Sequence, residues 1–523
     1  MLACYTDRLS VRPGERFTLH ASASAGPCDL EIARVGAGRD VVMRRNGLAI
    51  DEHEAPANAD RDGCGWPAAL EIEAGDWPSG YYDILLTDQA GDEAHHFVVV
   101  KPPLGGVRAR SAFVLATNTY HAYNWWGGAN AYCDVTALMS RRADLPTAME
   151  GAIGVLSTLR PFPPMLIAPP PDVPRLVNLR RRAFGERPWA GDRAWPRRRE
   201  LSPYDSSAGF MNKWEQAFAA WAEGEGLALD YFTDRDLETE ADLLDDYAAV
   251  ILVGHSEYWS AGERDAIEAF VDRGGRLAIF SGNTAFWKVR FEDGGARFIC
   301  HKWRGFTADP EAARAPLAAT HLWSHRAFDR PEAAITGLTF LFGGYHRLGL
   351  CAARGAGAYT VYDETHWALE GTDLFWGDEI GADLPLIGYE NDGCRLQFRD
   401  DGRLAPVAAL GVPENLEIVA VAPCAFGEAP GGGYAPVIPP ENLAMIAKEV
   451  FGEEGEAAEA RILRGHAVMA SFRRGKGEVF NGGTTEWAHA LAAGDPFIAR
   501  ITRNVLTRFG AYGEPPGQPS MEA

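Results

Sequence analysis

The residues best suited to chemistry lie in short polar turns. His255-Ser256-Glu257-Tyr258-Trp259 puts an imidazole, a carboxylate and a phenol in one turn. Ser281-Gly282-Asn283-Thr284 adds an amide, and Tyr389-Glu390-Asn391-Asp392 adds two carboxylates. Carboxylates and phenolates are hard oxygen donors that suit iron(III), and a metal so held can polarise an amide carbonyl or acidify a water. Other chemistries lack their residues. No G-x-S-x-G elbow, H-E-x-x-H helix, G-K-[ST] loop or dinucleotide fingerprint stands in a convincing context. Cys300 and Cys133 are poor nucleophile candidates, because neither sits in a strand-to-helix elbow.

These turns need elements to hold them. Ala249–Val253 is a short apolar run of the kind a parallel strand covered on both faces shows, and Gly254 allows a sharp turn at its end. Ser260 stands at an N-cap and Glu263 completes a capping box. Ile267, Phe270 and Val271 follow at helical spacing, and Gly274-Gly275 stop the helix. Arg276–Phe280 is the next strand. The unit therefore places His255, Glu257, Tyr258 and Asn283 at the carboxyl ends of two strands, where open α/β sheets bind ligands. The competing reading is that they only cap helices and fill a surface.

The neighbouring segments extend the same pattern. Strand-like Ser111–Ala116 runs into Thr117–Gly128, a turn dense in aromatics and amides, where Tyr123 and Asn124 would suit a pocket wall; a packed loop is the alternative. Phe210, Trp214, Phe218 and Trp221 recur at helical spacing over Gly209–Glu223 and read as core. Leu227–Phe232 reads as a strand and Thr233–Leu237 as a turn. Together these imply an α/β domain with a mainly parallel sheet. After Arg290 the pattern is less regular until the turn and strand of Gly475–Gly483 and the closing helix Asp495–Phe509.

At 523 residues the chain exceeds one core. From Tyr5 to about Lys101, short alternating runs broken by Gly, Pro and Asp predict an immunoglobulin-like β-sandwich over 1–104, with Trp66, Trp77 and Tyr81 as core or corner aromatics. Lys101-Pro-Pro-Leu-Gly-Gly is a linker, so the sandwich is expected to be removable without loss of solubility. The α/β domain then covers 107–512, with an irregular basic insertion at about 161–200, and 513–523 is a tail. A net charge of −22 argues against nucleic acid. The eight cysteines include no C-x-x-C pair, so neither a disulfide framework nor a zinc ribbon is expected. With no signal peptide and no apolar run of about 18 residues, no membrane partner and a cytoplasmic location are expected.

Several motifs in sequence order, AYNWWGG, LDYFTDRDL, GHSEYW, GGRLAIFSGNTAFWKV, GEVFNGGTTEW and ITRNVLTRFG, resemble the large (β) subunit of N,N-dimethylformamidase and its shorter bacterial relatives over most of 107–510. The resemblance implies a class I glutamine-amidotransferase-like α/β core without its cysteine nucleophile, and a mononuclear iron held by two tyrosines and a glutamate. Tyr258 matches one iron tyrosine. Ala217-Phe218 stands near where the second would fall, which leaves Tyr231 or Tyr204; the glutamate would be Glu311 or Glu332. Glu390 takes the place of a general base, with His255 and Glu257 beside it. The implied activity is hydrolysis of small amides, with a small subunit or a homo-oligomer as possible partners. The alternative is a non-catalytic ligand-binding relative of the same fold.

Overall fold

The computed structural model describes residues 1–106, 108–134, 153–168, 208–212, 214–302, 304–346, 357–382, 384, 386–426 and 440–512. Beyond residue 168 the expected basic insertion lies outside the described residues, as does the tail from 513.

Alternation in the first hundred residues produces two packed sheets. One joins Leu2–Thr6, Arg16–Ala23 and Ala68–Glu73. The other runs, in spatial order, Ser10–Val11, Glu93–Val100, Gly80–Thr87, Cys28–Val35 and Arg39–Leu48. Phe17, Leu19, Leu30, Ile32, Ile84 and Val98 fill the space between them. Arg39–Leu48 escaped the sequence reading because this edge strand is largely exposed and carries little alternation.

The alternate residues of this sandwich face the larger domain. Tyr81, Phe97 and Val99 enter one core with Tyr120, Phe162 and Phe210, and Tyr81 stacks on Phe210 with ring centroids 4.2 Å apart. Lys101 Nζ lies 2.7 Å from Asp236 Oδ1 across the same seam and also pairs with Glu240, which binds Arg12 as well. Such a seam is a shared core, and cutting at 104 would expose it.

The larger domain is mixed α/β around an eleven-stranded sheet. Its main path runs Asp230–Thr233, Ser111–Leu115, Ala249–Gly254, Arg276–Ser281, Gly477–Asn481, Arg464–Arg474, Glu417–Ala425, Thr339–Tyr345, Glu390–Gly393. The first five strands are parallel and the rest antiparallel. The expectation of a mainly parallel sheet holds for one half only. The reason is local: Gly475-Lys476, with Gly475 at φ +55°, joins Arg464–Arg474 to Gly477–Asn481, and so short a link returns the chain only antiparallel.

Two segments expected as turns are helices. Asp234–Thr239 is closed by a Thr233/Asp236 capping box, a signature that was present in the sequence. Thr117–Tyr123 is helical despite weak propensity, because all seven residues are buried and packing decides. The helix expected from Gly209 begins at Glu215. Ser260 and Glu263 form the expected capping box on Ala261–Arg273. Among the described residues the seven cysteines are free thiols, and no helix is long and apolar enough to cross a membrane.

Candidate functional site

The strand Ala249–Gly254 ends at a glycine with φ +79°, where a Cβ would come within 2.6 Å of the Trp214 side chain. The chain then delivers His255, Glu257 and Tyr258. Ser281 staples this turn to the end of the next strand: its hydroxyl donates to Gly254 O and accepts from Ser256 N, both at 3.1 Å. Asn283 follows at φ +53° and Ala285 at φ +54°, backbone that side chains rarely adopt. Glu390 arrives from the opposite edge of the sheet. It can approach because position 282 is glycine; a Cβ there would meet Glu390 O at 2.3 Å. Tyr389 at φ +33° completes a strained set.

At the centre, His255 Nε2 lies 2.6 Å from Glu390 Oε2 and 3.3 Å from Glu257 Oε2, yet it has an aligned hydrogen bond to neither. Candidate ligand atoms of His255, Glu257 and Glu390 all fall within 4.8 Å of one another, and all three residues are buried. Asn283 Nδ2 donates to Glu390 Oε2 at 3.1 Å. The Tyr132 hydroxyl sits 3.0 and 2.9 Å from the two Glu257 oxygens and 2.9 Å from the Tyr123 hydroxyl. Tyr258 donates to Tyr132 Oη at 2.8 Å and accepts from Lys302 Nζ at 2.5 Å. Trp214 meets the His255 ring edge-on at 5.8 Å and stacks on Tyr389 at 6.1 Å, which gives the polar group an aromatic wall.

Burial sets the charges. It disfavours the imidazolium of His255, but the carboxylates of Glu390 and Glu257 outweigh it and hold the histidine above its usual range. Burial raises Glu257, against the pull of Lys302 and His255. Lys302 is pushed down to about 8 by burial, with Glu257 opposing; its ammonium stands 3.1 Å from the Tyr132 ring centroid. Burial also holds Tyr123, Tyr132 and Tyr258 well above the usual phenol range. Asp392, next to Glu390 but turned toward the Thr284 N–H at 3.0 Å, is raised to about 7 by burial.

The structure brings His255, Glu257, Glu390, Asn283, Tyr123 and Tyr258 into one constellation. It does not bring the others. Asn124 braces a loop, donating to Pro161 O at 2.9 Å. Tyr231 lies on a strand beside the sandwich, edge-on to Phe113 and 6.0 Å from the Arg34 guanidinium, because its strand orientation points it into the inter-domain core. Glu311 sits on the one-turn helix Glu311–Arg314 and pairs with Arg314. Glu332 is bonded to Ser324 and Thr339, and Tyr204 lies outside the described residues. Sequence reasoning missed Tyr132 and Lys302, for which no spacing gave a signal. It also read Trp214 as core alone. Cys300 is raised to about 12 by burial, which disfavours the thiolate a nucleophile needs.

No curated protein matches the chain. Solved structures that resemble part of it include a superoxide reductase (neelaredoxin) E23A from Ignicoccus hospitalis, 9% identical, TM-score 0.13, covering 20% of this chain and 81% of that one. A Paenibacillus cycloisomaltooligosaccharide glucanotransferase is 15% identical, TM-score 0.14, covering 24% and 18%. Murine CRIg is 10% identical, TM-score 0.13, covering 20% and 96%. Likenesses so slight carry no argument. The family described as N,N-dimethylformamidase beta subunit-like, C-terminal, by contrast, matches residues 30–500, and the chain belongs to it.

Proposed function

We propose that this chain is a metal-dependent hydrolase of small linear amides, acting at the His255, Glu257 and Glu390 group. The observation that carries the reading is that one ligand atom each of His255, Glu257 and Glu390, all buried, lie within 4.8 Å of one another. Buried ligand atoms converging so closely are what a cation site offers, and the carboxylate and phenol oxygens of this donor set suit iron(III). Glu257 would hold the ion, and the Tyr132 hydroxyl beside its oxygens would be a second donor. When bound, such an ion polarises the amide carbonyl, acidifies water and favours the phenolate that burial alone opposes.

The chain's own residues supply the remainder. Glu390, oriented by Asn283 and His255 on the same oxygen, is placed to take a proton from water as that water's oxygen bonds to the carbonyl carbon. His255 is placed to give a proton to the amine as the C–N bond breaks. Trp214, Tyr123 and Tyr389 keep bulk water away and present apolar surface to N-alkyl groups. The family's description as a beta subunit supports a partner subunit in the working assembly.

The test is elemental analysis of purified protein together with release of dimethylamine and formate from N,N-dimethylformamide. Iron near one atom per chain and product release are expected. Metal-free, inactive protein from iron-replete cells would overturn the proposal.

A further inference from the structure

Beneath the site two buried carboxyls face one another. Asp234 opens the helix Asp234–Thr239, Glu263 lies in the first turn of Ala261–Arg273, and they are 2% and 0% exposed. Asp234 Oδ2 accepts the Asn118 N–H at 2.7 Å. Glu263 Oε2 accepts from Ser260 N and from Asn118 Nδ2, each at 3.2 Å. Each carboxyl keeps one buried oxygen, Oδ1 and Oε1, that no donor among the described residues reaches, and the two side chains touch.

The charges around them offer no relief. Asp236 and Glu238 of Asp234–Thr239 bear on the pair and are acidic, Glu215 from the helix Glu215–Gly224 is itself raised by burial, and the adjacent cations are engaged elsewhere, Arg235 by Glu238 and Arg264 by Glu268. Asp236 is answered by Lys101. His121, on the same helix as Asn118, is pushed down to about 3 by burial and adds no positive charge. Two bare carboxylates in contact and out of water are strongly unfavourable, whereas one proton between Oδ1 and Oε1 satisfies both orphaned oxygens.

Asn118 links this pair to the site. Its second amide hydrogen goes to the Tyr258 carbonyl at 3.0 Å, so both hydrogens of one amide are committed, one to Glu263 and one to the turn. We propose that Asp234 and Glu263 share a single proton and act as a positioning pair, fixing through Asn118 the backbone that carries Glu257 and Tyr258. Loss of that proton repels the two helices and releases the turn. The effect on activity rests on the amidase reading above; the protonation itself does not.

Asp234→Asn tests this, because its amide N–H donates permanently to Glu263 Oε1 while its oxygen still accepts from Asn118. Wild-type-minus-variant infrared spectra at neutral pH are expected to show a positive carboxylic acid band, one protonated carboxyl more in the wild type over the background of Glu215, which both proteins keep. A proton held only in the folded state makes wild-type stability fall as pH rises above the ordinary carboxyl range. The unfolding midpoint of Asp234→Asn is therefore expected to gain on the wild type as pH rises, and its hydrolysis of N,N-dimethylformamide to persist further into alkali. Glu263→Gln, which donates in the opposite direction, should behave alike. A midpoint gap that is constant with pH and no difference band would overturn the proposal, as would the unfolding of both amide variants, since that would mean the pair needs charge rather than a proton. Absence of amidase activity, with the band and the midpoints as expected, would count only against the proposed function.

Discussion

His255 Nε2 lies 2.6 Å from Glu390 Oε2, although His255 follows an interior strand of the parallel half and Glu390 opens the strand at the far end of the antiparallel half. If Glu390 is the base, Glu390→Gln should lower kcat on N,N-dimethylformamide by roughly 10²–10⁴, the usual worth of such a group, with KM little changed. Steady-state kinetics decide it, with circular dichroism as the check on folding. A loss below about tenfold would assign the base elsewhere.

Tyr132→Phe and Tyr231→Phe form a matched pair. The first deletes a hydroxyl beside both Glu257 oxygens; the second deletes one in the inter-domain core beside Arg34. Each keeps the ring volume; Tyr132→Phe should cost only about 1 kcal/mol of stability, and Tyr231→Phe, whose buried hydroxyl has no hydrogen-bond partner among the described residues, should cost none. Iron per chain should fall in Tyr132→Phe and stay at the wild-type level in Tyr231→Phe. Equal iron in both would remove Tyr132 from the metal's surroundings.

Glu215 is fully buried, accepts from Ala116 N at 2.9 Å and from the Tyr120 hydroxyl, and is raised by burial from 4.5 to about 8. The sign follows from proton binding: unfolded Glu215 ionises above about 4.5 while the folded one keeps its proton, so its contribution to stability is full at low pH and fades as pH climbs through about 8. Glu215→Gln cannot ionise. Denaturant titrations should show the variant gaining on the wild type between those pH values, by on the order of a few kcal/mol. A gap independent of pH would mean that Glu215 ionises in the fold as it does in water.

A chain consisting of 107–523 alone should be insoluble or bind hydrophobic dyes. Removing the sandwich uncovers Phe210, Tyr120 and Phe162, which pack on Tyr81, Phe97 and Val99, and leaves Asp236 without Lys101. A soluble, cooperatively unfolding fragment would refute this.

Local signals in the sequence were strong where one element decides its own shape. The capping box at Ser260/Glu263, the glycine stops at 274–275 and the strands flanking them lie where periodicity puts them. Polar residues at two strand ends marked His255, Glu257 and Asn283. What could not be read is how segments distant in sequence meet. Tyr132 follows an irregular turn, and Lys302 carries no motif; each gains meaning only from folding against Glu257 and Tyr258. Tyr231 was the tyrosine nearest in sequence to the position the resemblance implies, and nearness in sequence does not say which face of its strand the ring takes or what covers that face. The antiparallel half of the sheet was hidden by a short hairpin link in an otherwise irregular stretch.

The antiparallel half has a kinetic consequence. Glu390 reaches His255 only after Gly477–Asn481 has joined the parallel strands and Glu390–Gly393 has paired at the far edge, with Thr485 N anchoring Glu390 O at 3.1 Å. Contacts between segments so far apart in sequence form late, since the entropy of closing the intervening chain must be offset before they are gained. During refolding, helical ellipticity should therefore return ahead of catalysis, and a nascent chain released before about residue 485 would lack the Thr485 anchor that holds Glu390 opposite His255.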